Sequence, residues 1–136
     1  MAEYNKPLPQ PTPETKPYWD GLKEHKLMIQ RCLDCQNAYF YPRPLCPRCF
    51  SRNVEWFQAS GKGKLYSFVI NHRPAPGFEE DVPYVIAVIE LDEGPRMLSN
   101  LIGIEPDPDK IKCDIPVRIE YEDVTDEVTL PKFRPV

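Results

Sequence analysis

The chain has 136 residues, 41% of them hydrophobic and 28% charged, with a net charge of −4. That leaves room for one modest domain, or a small module joined to a compact one, and excludes a disordered chain. No apolar run approaches the roughly 20 residues of a membrane span, Met1-Ala2-Glu3-Tyr4-Asn5-Lys6-Pro7 lacks the apolar stretch of a signal peptide, and five cysteines, four at metal spacing, point to a reducing cytoplasm rather than a disulfide scaffold.

The first feature along the chain is proline. There are 17 prolines against 6 glycines, and Pro7, Pro9, Pro11, Pro13 and Pro17 fall in the first seventeen residues. Each fixes φ and removes a backbone donor, so residues 1–14 read as an extended arm that lies on a partner or stays mobile. Helix signals begin at Thr15, a capping residue, with Pro17 suited to a first turn. Tyr18, Trp19, Leu22 and Leu27 follow at helical spacing, while Gly21 argues against one long helix. Tyr18 and Trp19 read either as core or as anchors for a partner.

Next come Cys32, Cys35, Cys46 and Cys49, two CxxC pairs ten residues apart. A CxxC pair on a tight turn aims two thiolates at one point, and two such pairs supply the four sulfurs of a tetrahedral site. The spacer, residues 36–45, suits a short hairpin and is too short for a helix and return. The pattern predicts a zinc ribbon with a closed, structural Zn2+ site. A rubredoxin-type iron site uses the same ligands and stays open at this point. A redox dithiol would need one CxxC near a βαβ pattern, which is absent. Cys113 has no neighbours that would activate a thiol and marks a loop or strand end.

Beyond the ribbon the sequence turns to strands: Leu65–Ile70, Tyr84–Leu91, Met97–Ile102, Val117–Tyr121 and a short final one over Val128–Phe133. Asp92-Glu93-Gly94-Pro95 joins two of them as a hairpin. Gly61-Lys62-Gly63 suits a bulge or a sharp start to a curved barrel. Five short strands, with one longer connection after the third, predict an OB-fold barrel. The fold class is therefore mainly β: an N-terminal helical segment, a rubredoxin-like zinc ribbon and a C-terminal five-stranded OB-fold barrel. The expected divisions are 1–14 for the arm, 15–58 for helix plus ribbon, and 59–136 for the barrel. The loop from Asn71 to Pro83, with Phe78 beside Gly77, is long enough to be functional or mobile.

Residues 23–73 carry nine Lys or Arg against three Asp or Glu, whereas the rest of the chain carries eight against eighteen. A basic ribbon beside an acidic remainder suits a face that meets anions or an acidic partner; chance clustering on a solvated surface is the plain alternative. No catalytic constellation is legible. His25 and His72 lie in no triad context, no Gly-rich phosphate loop follows a strand, and four sulfurs leave a metal no open position for water.

Several marks occur in a fixed order: Trp19 and Leu22, Cys32-x-x-Cys35, Tyr41-Pro42-Arg43, Cys46-Pro47-x-Cys49, Trp56, Gly61-x-Gly63, Pro83, and the run from Val88 to Gly94. Over roughly residues 15–125 this resembles the rubredoxin-like zinc-ribbon plus OB-fold family associated with acyl-CoA metabolism. Lys112-Cys113-Asp114 departs from it where the family often has a glycine turn. The resemblance implies an accessory subunit, without catalytic residues of its own, beside a thiolase-like, aldolase or hydratase subunit, helping to form an acyl-CoA channel. A CoA thioester would then be the ligand. Its phosphates suit Arg43, Arg48, Lys62, Lys64 and Arg73, and Phe68, Phe78 and Tyr84 are candidate linings of the acyl passage, with the barrel core as the other place for Phe68 and Tyr84. The rival reading is a single-stranded nucleic-acid-binding module. The net charge and the acidic C-terminal half count against nucleic acid.

Overall fold

The computed structural model describes residues 6–136, so the first five residues of the expected arm lie outside the described residues. Helix α1 runs from Lys16 to Lys23, with Pro17 in its first turn, where an amide hydrogen has no helical partner to lose. Thr15 holds the N-cap position but does not cap with its side chain; its hydroxyl accepts the Thr12 N–H at 2.9 Å. The helix ends after two turns. Lys26 N–H returns to the Gly21 carbonyl at 2.8 Å and His25 N–H to the Leu22 carbonyl at 2.9 Å, a Schellman ending with His25 at φ 59°. Glycine usually takes that position. Here tertiary contacts hold a histidine: its ring stacks on Tyr121 (centroids 4.8 Å apart, planes at 8°), and Nε2 lies 3.1 Å from both Asp123 oxygens. Leu27, expected on the helix, lies beyond it and is fully buried.

Strands β1 (Met28–Cys32), β2 (Ala38–Tyr39) and β3 (Val54–Gln58) form an antiparallel sheet in the order β2-β1-β3. Strands β4 (Lys62–Asn71), β5 (Tyr84–Leu91), β6 (Arg96–Leu101), β7 (Pro116–Asp123) and β8 (Thr129–Pro135) close a barrel in the order β4-β5-β6-β8-β7. Strand β7 returns to β4, pairing Gly63 with Val117. All five expected barrel strands are present. The glycine pair acts differently from a bulge. Gly61 takes φ 79°, and a Cβ on Gly63 would stand 2.4 Å from the Glu90 carbonyl oxygen, so the missing side chain permits close pairing of β4 on β5. The register shift falls later, between Leu65 and Ser67.

One seam of the barrel is thin. Strands β6 and β8 run parallel and share a single bridged pair, Leu101 with Phe133. Pro131 has no amide hydrogen to offer across that seam. Its carbonyl accepts the Ser99 hydroxyl at 2.9 Å, and Lys132 Nζ donates to Asn100 Oδ1 at 2.9 Å. Side chains bridge where a ladder cannot run.

Leu22, Leu27 and Ile29 pack in one cluster with Leu65, Ile89, Val117 and Phe133, so α1 and the base of the ribbon share the barrel's core. Burying each such side chain contributes about 1.5–3 kcal/mol. A second, smaller cluster holds only Cys32, Tyr39 and Cys46, with Cys35 and Val54 against it. That is too little apolar surface to fold by itself.

Hydrogen bonds from Thr129 and then His25 hold the Asp123 carboxyl below its ordinary value of 3.8. A depressed pKa stabilises the fold above the ordinary value, and that contribution is lost as pH falls through the lower folded value. In urea unfolding, Asp123→Asn is expected to be less stable than wild type at neutral pH, with the gap closing in strong acid. A gap that widens in acid contradicts the assignment.

Candidate metal centre and adjoining recesses

The two CxxC turns are built alike. In the first, Cys32 N–H donates to the Asn37 carbonyl and Gln36 N–H to the Cys32 carbonyl, each at 2.9 Å. In the second, Cys46 N–H donates to the Ser51 carbonyl and Phe50 N–H to the Cys46 carbonyl, at the same distance. Gln36 (φ 64°) and Phe50 (φ 63°) both turn left-handed. Cys35 N–H and Arg48 N–H point at the Cys32 and Cys46 sulfurs, each at 3.4 Å. Burial pushes the Cys46 thiol up, but donation from the Cys49 and Arg48 amides outweighs it and brings it down to about 6. Asp34 accepts from the Ser51 hydroxyl and from the Asn53 side-chain amide, tying the first turn to the chain beyond the second.

These turns bring the four sulfurs within 4.8 Å of one another, with Cys32 and Cys49 at 3.5 Å and Cys35 and Cys46 at 3.6 Å. A tetrahedral ion about 2.3 Å from each sulfur sets neighbouring sulfurs about 3.8 Å apart. The donor set fits a four-coordinate, thiolate-binding ion. With sulfur in all four positions, no site is left for water or substrate.

Strand β2 carries the chain from the sulfurs to the helix. Phe40 and Tyr41 pack on Tyr18 at 5.4 and 5.9 Å between ring centroids, and Trp19 meets Tyr18 at 4.8 Å. The Arg43 backbone is pinned twice: its N–H donates to the buried Gln30 side chain at 2.7 Å, and its carbonyl accepts the Tyr39 hydroxyl at 3.0 Å. This aromatic wall faces the β6–β8 seam across a groove of about 550 Å³. A second recess, of about 490 Å³, is lined by Phe78 and Tyr84, with Lys6 and Pro7 of the arm; Lys6 pairs with Asp81 at 2.7 Å. Asn100, Leu130 and Lys132 line both recesses. Burial pulls the Lys132 ammonium below the usual lysine range, opposed by Glu122 at 3.7 Å.

The four expected metal ligands come together. The six residues expected to contact a CoA thioester do not. Arg43 lines the groove and Phe78 the second recess. Lys62 and Lys64 stand exposed on β4, Lys64 being 3.6 Å from Glu90. Arg48 lies in the second CxxC turn, and Arg73 lies on the loop after β4, its N–H donating to Asn71 Oδ1 at 3.3 Å. Tyr84, read as core or as lining, lines the second recess and its hydroxyl accepts from Asn71 at 2.7 Å; Phe68 packs against the core. Cys113 is exposed, and the residue after it, Asp114, takes φ 68°, the left-handed turn that a glycine would adopt. Leu98, at the groove, escaped the sequence reading, although strand alternation, with Met97 inward, turns it outward and would have found it; Trp19, read as core or anchor, lines the same groove.

A ribbon with four gathered cysteines, standing on a closed five-stranded barrel, defines a zinc-ribbon and OB-fold protein. Family profiles match both parts: the rubredoxin-like zinc ribbon domain of ChsH2 over residues 19–55, and the C-terminal OB-fold domain of ChsH2 over residues 56–122. The chain belongs to this ChsH2 family. It is 38% identical over 125 residues to a DUF35 domain-containing scaffold protein of Pyrococcus furiosus, covering 88% of this chain and 90% of that one. It is 41% identical over 119 residues to a Thermomonospora curvata protein named "Probable enoyl-CoA hydratase alpha subunit", covering 87% of this chain and 36% of that relative, so it spans about a third of its length. A chain of the solved Ltp2-ChsH2(DUF35) aldolase matches with a TM-score of 0.81 and 39% identity, over 94% of this chain and 98% of that one.

Cys46→Ser replaces a buried thiolate that two backbone amides face with a much poorer ligand. Metal analysis by mass spectrometry is expected to fall from one ion per chain toward none, and chelation of the wild type should act likewise. A variant that keeps its full complement of metal contradicts a four-sulfur site.

Proposed function

We propose that the chain is an accessory subunit of an acyl-CoA enzyme complex, contributing to the acyl-CoA channel of a thiolase-, aldolase- or hydratase-type partner. The observation that carries this reading is the match, over nearly the whole of both chains, to a chain of an aldolase assembly. The site's chemistry supports it. The metal is zinc in a structural role: its position is closed, so it folds the ribbon and supplies no nucleophile. Among the described residues no nucleophile with a base and an orienting partner is assembled; the Asp123–His25 pair sits on a helix-ending turn, stacked on Tyr121.

The acyl chain has a fitting place in the recess at Phe78. Its volume lies within the range of small-molecule sites, and Pro83, Val85, Leu101 and Ile104 stand beside Phe78 in a lining that also holds Lys6, Asp81, Glu122 and Lys132. Arg73 lies on the same loop as Phe78 and is the best placed of the proposed phosphate contacts; Arg48, Lys62 and Lys64 would meet CoA only where the partner brings it to them.

Co-expression with the enzyme subunit encoded beside this chain is expected to give a complex that turns over an acyl-CoA, with neither chain active alone. Phe78→Asp should raise the complex's KM by about tenfold, the equivalent of roughly 1.4 kcal/mol of apolar contact. A partnerless monomer, or turnover by the isolated chain, overturns the reading.

A further inference from the structure

We infer that the groove between the aromatic wall and β6 is the docking site for that enzyme subunit, which seats a large apolar side chain there, flanks it with carboxylates and offers a carbonyl oxygen to Trp19. The inference rests on the reading above that such a partner exists.

Three observations converge on one occupant. The indole Nε1 of Trp19 is buried without a hydrogen-bond partner among the described residues, and Trp19 lines this groove. A buried, unpaired donor costs about 1–3 kcal/mol, so a free chain that leaves one open is complete only when something accepts from it. Charge adds a second constraint. Arg43, Arg96 and Lys132 line the groove, and no Asp or Glu does, in a chain whose net charge is −4. Arg96 is already 3.1 Å from Glu90, and Lys132 is 3.7 Å from Glu122. Arg43 has no ion pair among the described residues, while its backbone is pinned from both sides, so its guanidinium is offered to an outside carboxylate.

The third observation separates a protein from a small ligand. Leu98 is 69% exposed at the lip of the groove, and the apolar surface does not stop there. On the outer face of the barrel Leu98 pairs with Val88, and Val69, 58% exposed, pairs with Ile86; Tyr66 adds a further exposed ring. A recess that opens onto exposed apolar side chains of the sheet, with Arg43, Arg96 and Lys132 beside it, has the layout of a protein interface: an anchor pocket, an apolar surround and a charged edge. A CoA head group would find one unpaired arginine there and leave the sheet bare.

The test is calorimetric titration of the zinc-loaded chain with the neighbouring enzyme subunit, comparing wild type with Trp19→Phe, Leu98→Asp, Arg43→Glu and, as a control outside the groove, Lys112→Glu. Melting temperature and metal content are measured for each, so that a folding defect is recognised. Trp19→Phe keeps the ring and removes the N–H; it is expected to weaken binding by about fivefold to tenfold. Leu98→Asp and Arg43→Glu are expected to cost about tenfold or more, and Lys112→Glu less than about twofold. Tight binding by the wild type and equally tight binding by all three groove variants overturns the docking site and leaves the accessory-subunit reading standing. A wild type that does not bind the partner overturns both. A homodimer of this chain that Leu98→Asp dissociates, or octanoyl-CoA bound by the isolated chain and lost in Arg43→Glu with partner affinity unchanged, gives the groove to another occupant and overturns the inference.

Discussion

Four sulfurs within 4.8 Å of one another are the constraint on which the rest of the ribbon depends. Thiolates at that spacing repel unless a cation lies among them, and the apolar cluster around them is too small to hold the ribbon closed alone. Backbone amides aimed at Cys32 and Cys46 prepare the sulfurs for a cation. Once the two CxxC turns are joined, β2 is fixed beside β1, and the residues that follow it, from Phe40 to Arg43, are laid against the helix. A structural metal in this fold therefore does more than staple a loop. It sets the position of an aromatic wall some residues away in sequence from any ligand.

The other side of that wall is set by a proline. Pro131 denies β8 the donor that would extend its pairing to β6, so the barrel closes through one bridged pair and two side-chain bonds. Both recesses adjoin this seam, one against the aromatic wall and one under Phe78, and the partly buried Lys132 lines both. An unbroken ladder would leave less room for either. Stability is given up at one seam of an otherwise closed barrel, and both of these recesses lie where it is given up.

The elements of the fold were largely legible because each has a local signature: paired CxxC turns, alternating apolar strands, and a Gly-Pro hairpin turn at residues 94–95. The metal ligands were legible because one ion demands four ligands at fixed spacing. What the sequence left open was where its scattered basic residues stand relative to one another. Lys64 and Arg96 both meet Glu90 across neighbouring strands, and such pairing depends on register, which charge counts do not contain. Tyr84 kept two readings, core or lining, because a strand's first residue is ambiguous until its neighbours fix which face is buried; it lines the second recess. Trp19 was seen as core or anchor: its ring packs on Tyr18 and against the core, while its N–H has no acceptor among the described residues.

The ribbon's metal holds the aromatic wall in place against the barrel, and hydrogen exchange of the metal-loaded chain before and after chelation reads that out amide by amide. The amides of Cys35, Arg43 and Arg48, bonded to sulfur or to Gln30, should lose their protection on chelation, while those of Val85–Leu101 in β5 and β6 keep theirs. Continued protection of the Arg43 amide in the metal-free chain would contradict the account.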